Sequence, residues 1–497
     1  MANLKSLFKD TAIYGLSSII GRFLNYLLVP VYTYVIDAAS GGYGVVTNLY
    51  AYTALLLVIL TYGMETTFFR FMSKEGENPE KVYSTILTSV LTTSVLFVVL
   101  VLTFLKPVSA ALGYADHPSF VWVMAATVAL DAFQCIPFAY LRYQKRPLKF
   151  AALKLLFIGL NILLNLLYFV ILPKTGWNPM GIYDQGLFVG YVFYINLFCT
   201  SVVTFFFWKE LKGFRAGFDG ALLRRMLSYS WPILVLGIAG ILNQTADKII
   251  FPFIYKGADA QAQLGIYGAC VKIAMIMAMI TQAFRYAYEP FVFGNAGRDD
   301  SKETYAKAMK YFIIFTLLAF LCVVGYMDVL QYIIGADYRE GLKAVPIVMA
   351  AEILMGVYFN LSFWYKLTDK TIWGAVFSGA GCLALLAVNI LFIPKIGYMA
   401  CAWGGLVGYG TSMLLSYFVG QKHYPIDYPL KDIALYTLCA AVLFVLMQLT
   451  PRLGSRIATL AANTVLIGLF CALIVMRDFP LSRLPVIGKY FRKGAGA

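Results

Sequence analysis

Several polar and charged residues lie inside two long apolar runs near the middle of the chain. The runs occupy residues 228–293, are joined by a short polar turn, and are each long enough to cross a bilayer. The set comprises Asn243, Gln244, Asp247, Lys248, Lys272, Arg285 and Glu289. Because a charge at membrane depth costs roughly 2.5–3.5 kcal/mol on insertion scales, it normally faces protein or a water-filled cavity. These residues therefore predict a transport path.

The cations in such runs are candidate ligands for a phosphate or another oxyanion. Arg22 lies inside the first apolar run, and a guanidinium suits bidentate oxyanion contact; the alternative is a structural pair with a carboxylate on a neighbouring helix. Lys272 and Arg285 are 13 residues apart, about 20 Å along a helix, and do not share one face. Arg285 and Glu289 are also spaced for an intrahelical salt bridge. We predict that Arg22, Lys248, Lys272 and Arg285 bind pyrophosphate or acidic sugars.

The intramembrane carboxylates are candidates for proton or sodium coupling, or else for neutralising intramembrane cations. They are Glu65, Asp131, Asp247, Glu289 and Glu352. Asp247 and Lys248 are adjacent in sequence and on a helix do not face each other, so we expect them to use different partners. Lys154 lies near the end of an apolar run, and we expect it to extend towards the membrane surface.

The composition places these residues in a polytopic membrane protein. The 497 residues are 61% hydrophobic and 13% charged, with a mean hydropathy of +0.75. Continuously apolar runs of about twenty residues predict helices, and the fold class is therefore all-α. We predict fourteen spans, at 11–36, 43–69, 83–105, 118–141, 149–172, 181–207, 228–254, 264–291, 307–334, 344–366, 372–394, 398–420, 432–449 and 457–476.

The basic residues test this topology. Of the 40 Lys and Arg residues, 27 fall in loops on the side of the N-terminus and 8 in loops on the other side. Because positive residues are retained in the cytoplasm, both termini are predicted to be cytoplasmic. The net charge of +15 is therefore explained by topology and contact with anionic membrane lipids, and no nucleic-acid partner is expected.

An internal duplication relates the two halves of the chain. Tyr43-Gly44 corresponds to Tyr267-Gly268, and P-K-T-G at 173–176 corresponds to P-K-I-G at 394–397. Parallel six-helix repeats are typical of transporters that alternate access to a central site. We predict an N-terminal lobe at 1–208, a cytoplasmic linker at 209–227, a C-terminal lobe at 228–421, two further helices within 422–476 and a basic cytoplasmic tail at 477–497.

Two segments of this chain resemble a known family. T-A-D-K-I-I-F-P-F-I at 245–254, followed by L-G-I-Y-G-A-C-V-K-I-A at 264–274, resembles the central hairpin of the Wzx-type polysaccharide exporters. These belong to the MATE-like multidrug/oligosaccharidyl-lipid/polysaccharide (MOP) superfamily. The resemblance implies a flippase of the bacterial inner membrane. Its substrate would be an undecaprenyl-pyrophosphate-linked oligosaccharide for O-antigen, capsule or exopolysaccharide assembly, and its partners would include polysaccharide polymerase and chain-length machinery.

Other functions fit the sequence less well. A peptidoglycan-precursor (lipid II) flippase of the same superfamily also has fourteen spans. A drug/cation antiporter needs only twelve, and its cationic substrate would be repelled by the four candidate cations. A membrane-embedded polysaccharide polymerase or ligase generally has a large periplasmic loop, which this chain lacks, so we predict that the protein is not an enzyme.

No cofactor or metal is expected either. The eight cysteines lie in apolar runs without a C-x-x-C pair, which is typical of small buried hydrophobes. Since no phosphate-binding G-x-x-x-x-G-K-[ST] loop occurs, we expect an ion gradient or the membrane potential to drive transport.

Overall fold

The computed structural model describes residues 26–176, 178, 183–184, 186, 188–294, 301–368 and 370–478. Between residues 286 and 294, it describes the side chains of Tyr288 and Val292 alone. Arg22, the side chain of Glu289 and the basic tail from residue 479 lie outside these residues. Every regular element within them is helical, which confirms the predicted all-α class.

The described residues form nineteen α-helices, α1 to α19 in chain order. The first nine are α1 (Leu28–Val35), α2 (Gly42–Thr61), α3 (Met64–Met72), α4 (Pro79–Thr103), α5 (Leu105–Ala111), α6 (Pro118–Tyr143), α7 (Pro147–Leu166), α8 (Leu172–Thr175) and α9 (Gly190–Phe205). The others are α10 (Gly220–Ile254), α11 (Ala260–Gly294), α12 (Ser301–Gly325), α13 (Met327–Leu330), α14 (Val345–Leu361), α15 (Phe363–Leu367), α16 (Ile372–Ile396), α17 (Met399–His423), α18 (Leu430–Met447) and α19 (Arg456–Arg477).

The helices include many that are long and apolar enough to cross a membrane. Within the described residues there are eleven such spans, or twelve when α9 is joined to the 3₁₀ helix Glu210–Ala216, to which it is bent by 61°. The predicted span at 398–420 coincides with α17, which is not among them. The predicted span at 11–36 lies mostly outside the described residues. The count of fourteen therefore stays a prediction.

Side chains cap the first turns of α4 and α10. The Asn78 side chain accepts hydrogen bonds from the amides of Glu80 and Lys81, and Pro79 occupies the first turn of α4. Asp219 caps α10 in the same way through the amide of Leu222. These caps add polar turns to the apolar runs, so the helices are longer than hydropathy alone predicts.

A break between α2 and α3 positions the first candidate carboxylate. Tyr62 and Gly63 have φ angles of 31° and 73°, in the left-handed region that ends one helix before the next begins. Glu65 lies in the first turn of α3, where the helix dipole favours a negative charge.

Two compact units divide the described residues. Unit 1 contains the chain up to Lys272 together with Ile334–Gly341 and Gly374–Gly408, and its core includes the stacked rings of Tyr83 and Tyr140, 4.0 Å apart. Unit 2 contains Ile273–Ile333, Leu342–Trp373 and the chain from Tyr409 onwards. Its core includes an aromatic cluster around Tyr288 and Phe363. The predicted six-helix lobes stay a prediction.

Candidate substrate-binding and coupling sites

Asp247 and Lys248 form an ion pair on α10. The Lys248 Nζ atom lies 3.0 and 3.1 Å from the two carboxylate oxygens of Asp247 and donates to the Gln244 carbonyl at 2.9 Å. The expectation that these neighbours use different partners is therefore wrong. The two Cβ atoms do point apart, but the four-carbon stem of lysine is long enough to return its ammonium group around the helix.

Tyr267 joins this pair to α11. Its hydroxyl donates to Oδ2 of Asp247 at 3.1 Å, and the Lys248 ammonium lies 5.5 Å from the centre of its ring. The Asp247 side chain is 6% exposed, whereas that of Lys248 is 18% exposed. The Asp247 carboxylate is thus bonded by Lys248 and by Tyr267, both in unit 1. The Lys248 ammonium is the more exposed of the two charged groups and stays accessible to solvent or a ligand.

Lys272 brings a second positive charge to the same region. It follows Tyr267 by five residues on α11 and is half-buried. Among the described residues it forms no ion pair, and its charge is repelled by that of Lys248. We refer to Lys248 and Lys272 as the lysine pair. Asp247 is bonded to Lys248 and no described carboxylate is bonded to Lys272, so the local charge is positive and attracts an anion.

Arg285 occupies a different environment, in unit 2. Its guanidinium carbon lies 4.4 Å from the centre of the Phe359 ring, and the Lys366 ammonium lies 4.7 Å from the same centre. Cations over an aromatic face are stabilised by the ring quadrupole. The proposed Arg285–Glu289 pair, like the role of Arg22, lies outside what the described residues can test.

Glu65 is paired with Arg142, at the end of α6. The Arg142 guanidinium donates to Oε1 of Glu65, the Cys135 thiol donates to Oε2 at 3.1 Å, and the guanidinium also lies over the Phe69 ring. Sequence reasoning assigned Arg142 to a loop because the apolar run ends at residue 141. The helix continues through Tyr143, so Arg142 lies in its last turn and reaches Glu65.

Asp131 and Lys154 extend this arrangement along α6 and α7. Asp131 accepts a hydrogen bond of 3.4 Å from the Thr200 hydroxyl and attracts the Lys154 ammonium electrostatically. That ammonium lies 4.1 Å from the centre of the Phe138 ring, so Lys154 contacts the protein interior. The expectation that it extends towards the membrane surface is therefore wrong. We refer to the following residues as the N-terminal charge cluster: Glu65, Asp131, Cys135, Arg142 and Lys154.

Glu352 is the remaining candidate carboxylate. It lies in α14 of unit 2, where it is half-buried. The structure thus brings together Asp247, Lys248 and Lys272 in one place and Glu65, Asp131 and Lys154 in another, both in unit 1. Arg285 and Glu352 belong to unit 2.

A bundle of long apolar helices with charged clusters in its interior defines a multi-pass membrane protein of the transporter class. A model of the family described as "Polysaccharide biosynthesis protein" matches residues 7–287, more than half of the chain. The chain belongs to this family. No curated protein matches its sequence at a significant level.

Solved structures show what the fold is similar to. The "Lipid II flippase MurJ, inward closed conformation" has a TM-score of 0.70 at 13% identity, over 93% of this chain and 98% of that chain. A "multidrug resistance MATE family transporter of the MOP superfamily" in an inward-facing conformation has a TM-score of 0.59 at 13% identity, over 83% and 94%. The "MATE multidrug transporter DinF-BH" has a TM-score of 0.58 at 17% identity, over 83% and 95%.

The solved structures confirm the predicted MATE-like fold. The family match confirms the predicted resemblance at the level of the polysaccharide biosynthesis family. Two of these structures are of transporters and one is of a flippase. The family description agrees with a role connected with polysaccharides.

Proposed function

We propose that this protein flips polyprenyl-pyrophosphate-linked oligosaccharides, as a Wzx-type exporter does. Transport runs from the cytoplasmic to the periplasmic leaflet of the bacterial inner membrane, with both termini in the cytoplasm. The product feeds O-antigen, capsule or exopolysaccharide assembly, in cooperation with polysaccharide polymerase and chain-length machinery. The observation that carries the proposal is the lysine pair inside a chain of the polysaccharide biosynthesis family.

The lysine pair suits a pyrophosphate for electrostatic reasons. The Lys248 ammonium has three N–H donors, so a pyrophosphate oxygen takes the place of the Gln244 carbonyl while the ion pair with Asp247 is kept. The same anion reduces the repulsion between the two ammonium groups. Binding thus neutralises the charge of Lys272, which has no ion pair among the described residues, and this gain offsets part of the cost of desolvating the anion.

The other candidate residues act before and after this step. Arg22 and Arg285 supply further positive charge along the path, and the rocking of two six-helix lobes exposes the head group first to one side and then to the other. The N-terminal charge cluster takes up and releases the coupling ion. The prenyl chain remains in the bilayer.

A lipid II flippase is the second candidate. The likeness to the MurJ structure favours it, because that match covers 93% of this chain. Both substrates carry a prenyl pyrophosphate, so the lysine pair suits either, and they differ in what is attached to it. Export of cationic drugs is less compatible with Lys272, which would repel them.

The test is a flipping assay in sealed vesicles. Purified protein is reconstituted, and the accessibility of a polyprenyl-pyrophosphate oligosaccharide in each leaflet is followed against lipid II and against export of a cationic rhodamine dye. We expect the oligosaccharide to be flipped by wild type and by Lys272→Arg. Lys272→Met should reduce the rate by about tenfold or more, the effect expected for one charge-assisted contact.

The matched control is Lys395→Met, because Lys395 is an exposed lysine of α16 in the same unit. Its flipping rate should equal that of wild type. Wild-type vesicles that flip lipid II alone would assign the second candidate. Export of the rhodamine dye without any lipid flipping would refute both, and normal flipping by Lys272→Met would refute the proposed binding site.

A further inference from the structure

The chain bends by 61° between α9 and the 3₁₀ helix Glu210–Ala216, where the predicted cytoplasmic linker begins. The sequence at 205–218 is F-F-F-W-K-E-L-K-G-F-R-A-G-F, and all of it belongs to unit 1. We refer to residues 205–218 as the post-α9 segment. None of the residues considered above for pyrophosphate or ion binding lies in it.

One face of this segment is bonded to the rest of unit 1. Glu210 is 4% exposed, and its two carboxylate oxygens accept hydrogen bonds of 2.8 and 2.7 Å from the Lys149 ammonium. The Tyr83 hydroxyl donates to the Glu210 carbonyl at 3.2 Å, and the Ser84 hydroxyl donates to the Phe214 carbonyl at 3.3 Å. Because breaking such a pair leaves a buried charge uncompensated, these bonds fix the orientation of the segment.

The exposed part of the segment carries aromatic side chains. Phe205, Trp208 and Phe218 are 76%, 61% and 53% exposed. Single exposed apolar residues are common, but three large rings in one short segment form an apolar surface that water does not favour. Tryptophan is enriched where a membrane span meets the head-group layer, because its ring is amphipathic. The rings therefore suit the head-group layer beside the end of α9.

The exposed part also carries three cations at a regular spacing. Lys209, Lys212 and Arg215 follow one another at intervals of three, and all are exposed. Since side chains three residues apart lie above one another in a 3₁₀ helix, these cations line one edge of the segment. None of them forms an ion pair with a described residue, and the Lys209 ammonium lies 5.9 Å from the centre of the Trp208 ring. The segment has one carboxylate, Glu210, which is buried in an ion pair, so its exposed charge is wholly positive.

This combination of groups selects an anionic phospholipid. The lipid phosphate accepts charge-assisted hydrogen bonds from the cations, and the glycerol and upper acyl region covers the aromatic rings. Each cation near an anionic membrane surface raises affinity about fivefold. A free inorganic anion leaves the rings exposed to water, and a zwitterionic lipid cancels the attraction with its own positive charge.

We propose that the post-α9 segment binds the head groups of anionic phospholipids through Lys209, Lys212 and Arg215, with the Trp208 ring beside the glycerol backbone. The predicted topology assigns the segment to the cytoplasmic leaflet. The bound lipid is a component of the membrane and not the transported substrate, which the proposed function assigns to the lysine pair. The attraction to anionic lipids expected from the net charge thus gains a definite place in the fold.

The test uses Trp208 as a reporter of the lipid beside it. The full-length protein is reconstituted in vesicles of equal parts phosphatidylglycerol and phosphatidylcholine, in which one or the other lipid carries bromine near the glycerol backbone. Bromine quenches tryptophan fluorescence on contact, and subtracting the signal of Trp208→Phe isolates the contribution of Trp208. We expect phosphatidylglycerol to be preferred over phosphatidylcholine at Trp208 by about fivefold or more.

Neutralising the three cations should remove this preference. In Lys209→Gln/Lys212→Gln/Arg215→Gln, the two brominated lipids should quench Trp208 to the same extent. Lys209→Arg/Lys212→Arg/Arg215→Lys keeps the charges and should keep the preference. Because all three side chains are exposed, neither variant should lower the melting temperature, which separates lost lipid binding from lost folding.

The matched control is Lys370→Gln/Lys422→Gln/Lys431→Gln. It removes the same number of charges from exposed lysines of unit 2 that the predicted topology assigns to the same side of the membrane. The preference at Trp208 should equal that of wild type. If the control loses the preference as fully as the neutralised segment does, the overall charge attracts the lipid and the segment is not a site.

Other outcomes would also refute the site. Equal quenching of wild type by both lipids, or an unchanged preference in the neutralised segment, would exclude binding through these cations. Quenching by neither lipid would place the segment away from the bilayer and favour an acidic protein as its partner. The flipping assay is independent of these results: a protein with the lipid preference that flips no glycolipid keeps this site and loses the proposed function.

Discussion

A Cβ atom placed on Gly44 would lie 1.8 Å from the carbonyl oxygen of Gln261, so that α2 and α11 meet backbone to backbone in unit 1. Gly265, one turn further along α11, approaches the backbone nitrogen of Gly44 in the same way. Gly268 faces Thr47 in this contact. The dipeptides that the predicted duplication relates, Tyr43-Gly44 and Tyr267-Gly268, thus lie on two helices that pack against each other.

We expect Gly44→Ala to open this contact. The predicted topology assigns the start of α2 and of α11 to the periplasmic side, and we propose that the contact closes the path there. A methyl group cannot be accommodated because the opposing atom is backbone and cannot rotate away. In a variant with Cys270 as its remaining cysteine, a membrane-impermeant maleimide added from the periplasmic side should label Gly44→Ala faster than the parent.

Cys270 is a suitable reporter because it is fully buried beside Gly341 and its thiol lies 3.4 Å from the Tyr338 carbonyl. Gly240→Ala is the control, since a Cβ atom on this glycine of α10 meets nothing within 4 Å. Its labelling rate should not change. Equal labelling of all three proteins would show that the contact does not close the path.

The sequence predicted the helices well because the length and apolarity of a run are local properties. The predictions that differ from the structure concern the residues at which helices begin and end and the partners of charged residues. Hydropathy ended α6 at residue 141 and began α10 at residue 228, whereas helical hydrogen bonding continues to Tyr143 and begins at Gly220. The first of these differences is why Arg142 was not recognised as the partner of Glu65.

The partners of buried groups depend on which helices pack together, and this information is not local. Glu65 and Arg142 are 77 residues apart, and no periodicity connects them. The partners of buried asparagines give no signal in the sequence either, because an asparagine in an apolar run looks the same whether its amide is satisfied or not. Asn243, for comparison, donates to the Ser378 carbonyl of a distant helix.

We expect Lys310→Met to destabilise the attachment of the last two helices. The Lys310 ammonium lies 2.7 Å from Asp432 of α18 and 2.5 Å from Asp478, just after α19. Without it, Asp478, whose side chain is 8% exposed, loses its bonded cation. Breaking a buried pair costs about 3–5 kcal/mol, so the apparent melting temperature of the detergent-solubilised protein should fall by several degrees.

Lys307→Met is the control for this change. Lys307 lies one turn earlier on α12 and pairs with Glu303, but both side chains are more than 60% exposed. Lys307→Met should leave the melting temperature close to that of wild type, because an exposed pair contributes little to stability. The double variant Lys310→Met/Asp478→Asn should recover part of the loss. If Lys310→Met and Lys307→Met melt at the same temperature, the ion pairs of Lys310 with Asp432 and Asp478 do not attach α18 and α19 to α12.

We expect Asp131→Asn to remove the dependence of flipping on an ion gradient. Within the N-terminal charge cluster, Asp131 attracts Lys154 more strongly than Glu65 does, and a neutral amide cannot exchange a proton or sodium ion there. Flipping is measured with a proton gradient, with a sodium gradient and with neither. The exposed Asp116→Asn is the control and should respond as wild type does. Full gradient stimulation in Asp131→Asn would exclude Asp131 from coupling.

The last prediction concerns acid stability at the loop before α4. The Arg225 guanidinium donates to both carboxylate oxygens of Glu77, at 2.5 and 3.2 Å, and Lys74 lies 3.6 Å away. The hydrogen bond from Arg225 is the main cause that holds the pKa of Glu77 below its usual value of 4.5. A carboxyl whose pKa is lowered by folding stabilises the fold above that usual value, and this stabilisation disappears as the pH falls through the lowered pKa.

Glu77→Gln should therefore melt at a lower temperature than wild type at pH 7, by an amount that corresponds to less than about 1 kcal/mol, because the Arg225 side chain of this pair is 53% exposed. The difference should be constant down to about pH 5 and should vanish in stronger acid, where Glu77 of the folded wild type becomes protonated. High salt should reduce the difference at pH 7, because the pair is accessible to screening ions. A difference that persists unchanged below the pKa of Glu77 would show that the glutamine acts through packing and not through the lost charge.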